Sequence, residues 1–576
     1  MKIISMNRTN AKRIFKVALT VFLVAFGLKC AYRILRNNTS NFNYDPFFKN
    51  KTDYDVLFYG PSHMKDGVFP MQLWNDYGIT SYNIAENACY VDANYGMLRL
   101  STKYKKPKVV VLDVVMTHDN RWITQKFRMH TAVDAFPPSY AKAKVIKDCF
   151  MYIRDDVSFS EFMHPFSLYH SRWNNKDVTF ASLFDGSRNR AMGADLMINV
   201  AVPDRFFLVG EDECKEADMT WLKKFIAHCK THDIQPVLIV IPYPASKDDQ
   251  RVYNSVAHLA EENGVPFLNM LRMEIVDFSI DCYDQGSHLN PGGARKVTDY
   301  LGRYLANELG IKDRRTENAY SAKWDGWYED YRAFLKENIE KQTSLKNILM
   351  LLSDSNFEAH IKLSDRYKAD SVEEALLTQI ANTCTVEKKS FKSLGSLDVM
   401  VDVLDARTKE MVCSFSFCKD SSENLKLFDR EKNDEAIKNA RSRYRTTARF
   451  DVKNIGKKEN SVEIIKNSSK EYFTAPAWYT TDTGKGWNLQ CNDQSVDFSF
   501  RCVGNGNLEI VIRGPDWKDL RGIRTPMKVA LTDFTVNGEK IVSRRKVVWH
   551  DAPVKWRKEV TDGELVTVHA EWQSEK

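Results

Sequence analysis

Between residues 53 and 310 short apolar runs alternate with amphipathic stretches, the pattern of strands joined by helices in a parallel sheet. The runs are DVLFYG (55–60), TSYNIA (80–85), KVVVLDVV (108–115), PVLIVIPYP (236–244) and VPFLNM (265–270). Ahead of the fourth run, TWLKKFIAHCKTHD puts Leu222, Phe225, Ile226 and Cys229 on one helical face. After it, DQRVYNSVAHLAEENG does the same with Val252, Val256, Leu259 and Ala260, and Gly264 supplies a stop. A doubly wound α/β domain over 38–310 is expected. The stretch 117–210 breaks the rhythm with His, Arg and aromatic residues, and reads as an insertion forming a lid or substrate surface on the carboxyl edge of the sheet.

Further on the pattern changes. Residues 311–345, with WYEDYRAFLKENIEKQ, predict a charged connecting helix, and 346–439 a small α+β module with a hairpin at DART. From 440 to 576 strand follows strand. Val496, Phe498, Phe500 and Cys502 alternate, GNGN turns the chain, and Leu508, Ile510 and Ile512 alternate again. Asn537-Gly538 is another turn signal, and a C-terminal β-sandwich is expected.

At the N-terminus Lys2, Arg8, Lys12, Arg13 and Lys16 precede the apolar run VALTVFLVAFGL at 17–28 without an intervening acid. A basic flank before an apolar run predicts a helix inserted with its N-terminus inside. The run reaches membrane-spanning length when Ile14, Phe15 and CAYRIL extend it and Lys16, Lys29 and Arg33 snorkel. Residues 1–37 therefore read as a cytoplasmic tail and signal anchor, with the bulk of the chain outside a single-pass cell membrane. A cleaved signal peptide, giving a plain secreted protein, is the competing reading, but no small-x-small cleavage site follows Leu28.

Composition narrows this further. A chain of 576 residues with 43% hydrophobic residues buries more than one core. A net charge of +7, from 83 basic and 76 acidic residues, argues against a nucleic-acid binder. Eleven cysteines, with no CxxC pair, define neither a disulfide framework nor a zinc site.

The first strand runs into Gly60-Pro61-Ser62-His63, and DCYDQGSHLNPGG at 281–293 sets His288 ahead of a helix starting near Pro291. A serine nucleophile needs a base, and the base needs a carboxylate to orient it. Ser62, His288 and Asp284 supply the set, with Asp281 as the alternative carboxylate. As purely structural features, Ser62 could cap a helix and His288 could brace a turn. The blocks YGPSHM and DxxxSHLN resemble the first and last blocks of the SGNH, or GDSL-like, hydrolase superfamily over roughly 53–310. The family spaces its Asp three residues before the His, where this chain has Gln285, and Asp284 lies four before.

The resemblance implies a three-layer α/β/α domain that uses Ser-His-Asp for ester hydrolysis or acyl transfer. With an anchor ahead of it, the chain is most similar to extracytoplasmic proteins that acylate surface polymers, such as the alginate O-acetylation proteins and the D-alanyl transfer protein of teichoic acid synthesis. Implied partners are a polysaccharide polymer and a polytopic membrane O-acyltransferase; no cofactor or metal is implied. Asn87 is the candidate oxyanion donor beside the Ser62 N–H, with Asn120 a further candidate. His164, His170, Arg172 and Trp173 in the insertion are candidate substrate contacts, with lid packing as the alternative. His118 and Asp119 do not complete a metal site. Arg441, Arg443, Arg445 and Arg449 alternate as on a strand. Trp478, Tyr479, Trp487, Trp517, Trp549 and Trp556 offer a sugar platform or plain core. The class opposed to an enzyme is a non-catalytic envelope scaffold or glycan-binding protein with a degenerate domain of this kind.

Overall fold

A computed structural model of the chain describes residues 8–35, 47–48, 50–51, 53–115, 117, 124–169, 172–173, 190–286, 288–419, 424–444, 446–455, 462–467, 486–491, 493–518 and 524–574. The chain divides into two compact units. The first comprises 1–361, 368–386 and 402–413; the second comprises 362–367, 387–401 and 414–576.

In the first unit, β1 (Val56–Tyr59), β2 (Ser81–Asn83), β3 (Val109–Asp113), β4 (Gln235–Val240) and β5 (Phe267–Asn269) form a parallel sheet in the order β2-β1-β3-β4-β5. Each apolar run of the sequence supplies one strand. All residues of β1 and β3 are buried, because both faces of the sheet are covered. Val56, Phe58, Val109, Val111, Val237 and Ile239 share a core with Leu73, Val297, Leu301 and Leu305. The intervening position Tyr59 meets Phe225 on another helix, rings 5.7 Å apart. The helices behind these contacts are Pro70–Tyr77, Pro291–Asn307 and Thr220–Thr231. The helical faces read from the sequence bury the expected residues, Leu222, Phe225, Ile226 and Cys229 on one and Val252, Val256, Leu259 and Ala260 on the other.

Strand order reverses between β1 and β3, so the chain leaves their carboxyl ends in opposite directions and opens a crevice there. The residues after β1 are Gly60, Pro61 and Ser62. The N-terminal helix runs Arg8–Leu35; its stretch Lys12–Tyr32, with mean hydropathy 2.0, is long and apolar enough to cross a membrane. A 20-residue helix, Ser321–Glu340, follows the sheet domain.

Strands between 357 and 427 form a separate five-stranded sheet. In the second unit two antiparallel sheets enclose one core. A four-stranded sheet holds Gly486–Cys491, Ala448–Ile455, Gly506–Arg513 and Val554–Val560; the other is built around Ser495–Cys502, Leu565–Ser574 and Lys528–Val536. Phe450 from the first and Phe498 from the second meet at 5.7 Å, and both are buried. The GNGN turn carries the chain from one sheet to the other, so the two alternating patterns flanking it enter the core from opposite sides. Asn537-Gly538, both at positive φ, turn a true hairpin in which Val536 pairs with Glu539. The strand reading of Arg441 and Arg443 is corrected: both lie in the helix Arg430–Arg443, capped by the Asp429 side chain on the Lys432 N–H, whereas Arg449 is on a strand.

Candidate active site

Ser62 is the first residue of a short helix, Ser62–Gly67, that leaves the carboxyl end of β1. Gly60 makes the bend possible: at φ +155° its backbone runs so close to β3 that a Cβ would stand 2.9 Å from those of Asp113 and Met64. Its N–H donates to Asn94 Oδ1 at 3.0 Å, and Asn94 Nδ2 donates to the carbonyls of Cys89 and Tyr90 at 2.9 Å each. This buried asparagine ties the nucleophile loop to the turn after β2. A lone Asn within a helix carries no local signal, so nothing in the sequence marks it.

His288 comes from the loop ahead of Pro291–Asn307, whose first turn is capped by Asn290 Oδ1 on the Gly293 N–H. Ser62 Oγ lies 2.7 Å from His288 Nε2, and His288 Nδ1 lies 2.5 Å from Asp284 Oδ2. Asp284 Oδ1 accepts from the N–H groups of Gly286 (3.0 Å) and His288 (3.1 Å), so the loop winds around its own carboxylate. That winding lets a carboxylate four residues before the histidine reach its Nδ1. Asp281 is engaged elsewhere: its buried carboxylate takes Lys296 Nζ at 2.6 Å and the Asp277 N–H at 2.7 Å. The structure thus brings together Ser62, His288 and Asp284, and holds Asp281 in a separate ion pair.

Two oxyanion candidates lie along the chain near the serine. The N–H of Ser62 opens its helix and, among the described residues, makes no hydrogen bond. Asn87 lies in the turn directly after Glu86, whose N–H donates to the Gly60 carbonyl at 3.2 Å.

Behind the serine, the helix is held by charges the sequence did not mark. Lys65 is buried, with Nζ 3.5 Å from Glu86 and 3.2 Å from Asp195. The Asp195 N–H donates to the Lys65 carbonyl at 3.1 Å, and Asn83 Nδ2 donates to the carbonyls of Met64 (2.7 Å) and Val68 (3.1 Å). Burial raises the Glu86 carboxyl to about 7, with the Lys65 ammonium opposing. Burial raises Asp66 to about 8, and the carboxylate of Asp195 adds to the effect. Asp113, at the end of β3, is pushed up to about 8 by burial against two backbone N–H groups. His63, fully inside and with its ring 5.4 Å from that of His288, is pushed down to about 3 by burial and stays neutral. A neutral neighbour leaves His288 free to take a proton without a second imidazolium beside it.

Other sequence candidates have surroundings of their own. His164 ends the short helix Phe159–Met163, Arg172 Nη1 donates to the Leu35 carbonyl at 2.8 Å, and Trp173 is exposed. Trp549 is exposed, and Trp556 packs partly buried against the core of the second unit. Asn120, His118, Asp119, His170, Arg445, Trp478 and Tyr479 fall outside the described residues, as does the side chain of Trp487.

A parallel α/β sheet with a serine, histidine and aspartate in line at its carboxyl edge is the class that fold and site define. No protein-family model and no curated protein matches the sequence. Among solved structures the chain is similar to a G-D-S-L family protein from Desulfitobacterium hafniense (11% identity, 43% of this chain and 98% of that one, TM-score 0.23). It is similar also to a GDSL-like lipase from Bacteroides thetaiotaomicron (10%, 47% and 98%, TM-score 0.22). A tail fiber protein from an E. coli phage matches more of its length (7%, 94% and 71%, TM-score 0.22). With superpositions this loose, the chemistry has to be read from the side chains themselves.

Proposed function

We propose that the chain is a membrane-anchored serine acyl hydrolase or O-acyltransferase that works outside the cell membrane on cell-envelope or exported polysaccharide. The observation that carries the reading is the unbroken relay from Ser62 Oγ through His288 to Asp284, with links of 2.7 and 2.5 Å. Ser62 Oγ attacks an ester carbonyl and passes its proton to His288 Nε2. Asp284 holds the Nδ1 proton and stabilises the imidazolium. The Ser62 N–H and the Asn87 amide meet the developing oxyanion. The leaving alcohol takes the proton from His288, and water or a sugar hydroxyl then discharges the acyl-serine by the same steps in reverse. Discharge to a sugar makes the chain a transferase, with a polytopic membrane acyltransferase as donor and the C-terminal sheets as the holder of the polymer.

A fluorophosphonate probe and an activated acetyl ester test the mechanism. The intact chain is expected to label at Ser62 and to release alcohol in a burst. Ser62→Ala and His288→Ala should each lose at least about 10^3-fold in acyl-enzyme formation. Full activity in either folded variant sinks the proposal, and silence of the intact folded chain toward both probes favours the scaffold.

A further inference from the structure

Along most of the N-terminal helix the apolar side chains are exposed, among them Val21, Phe22 and Phe26. Its last turn differs: Cys30, Ala31 and Tyr32 are partly covered and Leu35 is buried. The cover comes from the insertion. The Tyr32 and Tyr169 rings stand 6.2 Å apart, and Arg172 Nη1 donates to the Leu35 carbonyl at 2.8 Å. That carbonyl is among the last four of the helix, which have no partner within it, and the guanidinium also meets the negative end of the helix dipole. The seat is fixed from behind. Tyr169 OH donates to Asp134 Oδ2 at 2.9 Å, and the buried Asp134 carboxylate also holds His130 Nδ1 at 3.1 Å. Flanking the seat, Trp173 is 73% and Leu168 39% exposed.

We propose that the face carrying Leu168, Arg172 and Trp173 is a membrane-interface surface, seated in the headgroup layer of the same bilayer that the N-terminal helix crosses. The inference rests on reading that helix as a membrane span. The stretch Lys12–Tyr32 has 21 residues, about 31 Å at 1.5 Å per residue, which matches a hydrocarbon core of about 30 Å. Leu35 lies three residues, about 4.5 Å, past the end of that stretch, inside a headgroup layer roughly 5–7 Å deep. Whatever binds the Leu35 carbonyl is therefore at the same depth. Tryptophan and tyrosine rings favour that layer, and arginine reaches its phosphates. The occupant of the exposed Trp173 and Leu168 is then lipid rather than a soluble partner, and Arg172 acts as the brace that holds the insertion down on the membrane.

The experiment uses the full chain in vesicles of phosphatidylcholine and phosphatidylglycerol. The photo-crosslinker p-benzoyl-phenylalanine replaces, one at a time, Trp173, the mid-span residue Val21, and the exposed Met411 as background. Lipid adducts are read by mass spectrometry. Adducts are expected at positions 21 and 173, the latter about tenfold above Met411. Arg172→Gln should cut the yield at 173 several-fold while leaving position 21 unchanged. Adducts at 21 with only background at 173 overturn the membrane surface and leave the span intact. No adduct at 21 overturns the span, and the surface with it.

Discussion

Asp284 gives one carboxylate oxygen to two backbone N–H groups of its own loop and the other to His288 Nδ1, whereas Asp281 is tied to Lys296. The two substitutions to asparagine should therefore separate cleanly. Asp284→Asn is expected to lower ester turnover by about 10^2–10^4-fold with little change in melting temperature, because the imidazole loses its orienting charge. Asp281→Asn removes the charge partner of Lys296, which keeps Gln379 Oε1 at 3.1 Å, and should cost about 1–3 kcal/mol of stability, with the surviving folded protein still turning over. Thermal melts beside steady-state kinetics check both. Ser62 and His288 were legible only as two blocks read together at the ends of an α/β pattern: a Gly-Pro-Ser exit from an apolar strand, and a histidine two residues before an Asn-Pro helix start. The carboxylate was not, since the choice between Asp284 and Asp281 is made by Lys296, fifteen residues along and reached through space. Asn94, Lys65 and Asp195 escape notice for the same reason.

Among elements, β1, β3 and β4 of the parallel sheet were readable because burial on both faces writes a continuous apolar run. The polar helix Arg430–Arg443 was not, since a helix without an apolar stripe has no period to detect and its arginines fit a strand as well. A segment within the insertion has a tighter constraint. Gly193 sits at φ +93°, and a Cβ there would stand 1.8 Å from the Asn83 carbonyl oxygen. Asn83 supports the nucleophile helix from one side, and the following Asp195 supports it from the other through Lys65. Gly193→Ala should cost at least about 2 kcal/mol and slow acylation of Ser62 in the molecules that remain folded. Chemical denaturation and burst kinetics on one preparation test this; unaltered burst rates would show that the segment only closes the fold.

For the whole molecule, the buried acids around the site set a pH dependence. Asp66 and Asp113 near 8 and Glu86 near 7 keep protons in the folded state that the unfolded chain releases near pH 4. Between those values the unfolded chain binds fewer protons than the folded one, so stability falls as pH rises from about 4 to about 8. His63, held neutral, acts oppositely below about pH 6.5, where only the unfolded chain gains its proton. Asp113 isolates the first effect, because burial alone raises it. Asp113→Asn should be more stable than the parent, with a free-energy gap, read by chemical denaturation, that widens from pH 5 to pH 9 and reaches the order of a few kcal/mol. A constant gap would mean that Asp113 ionises freely in the folded chain. The insertion is also held at two fixed points, the Val114 N–H on the Ile239 carbonyl just before its entrance and the Asp195 N–H on the Lys65 carbonyl within its returning part. The sequence between those points can therefore change while Ser62 keeps its place after β1. A family built on this plan would diversify in what it recognises long before it changed how it reacts.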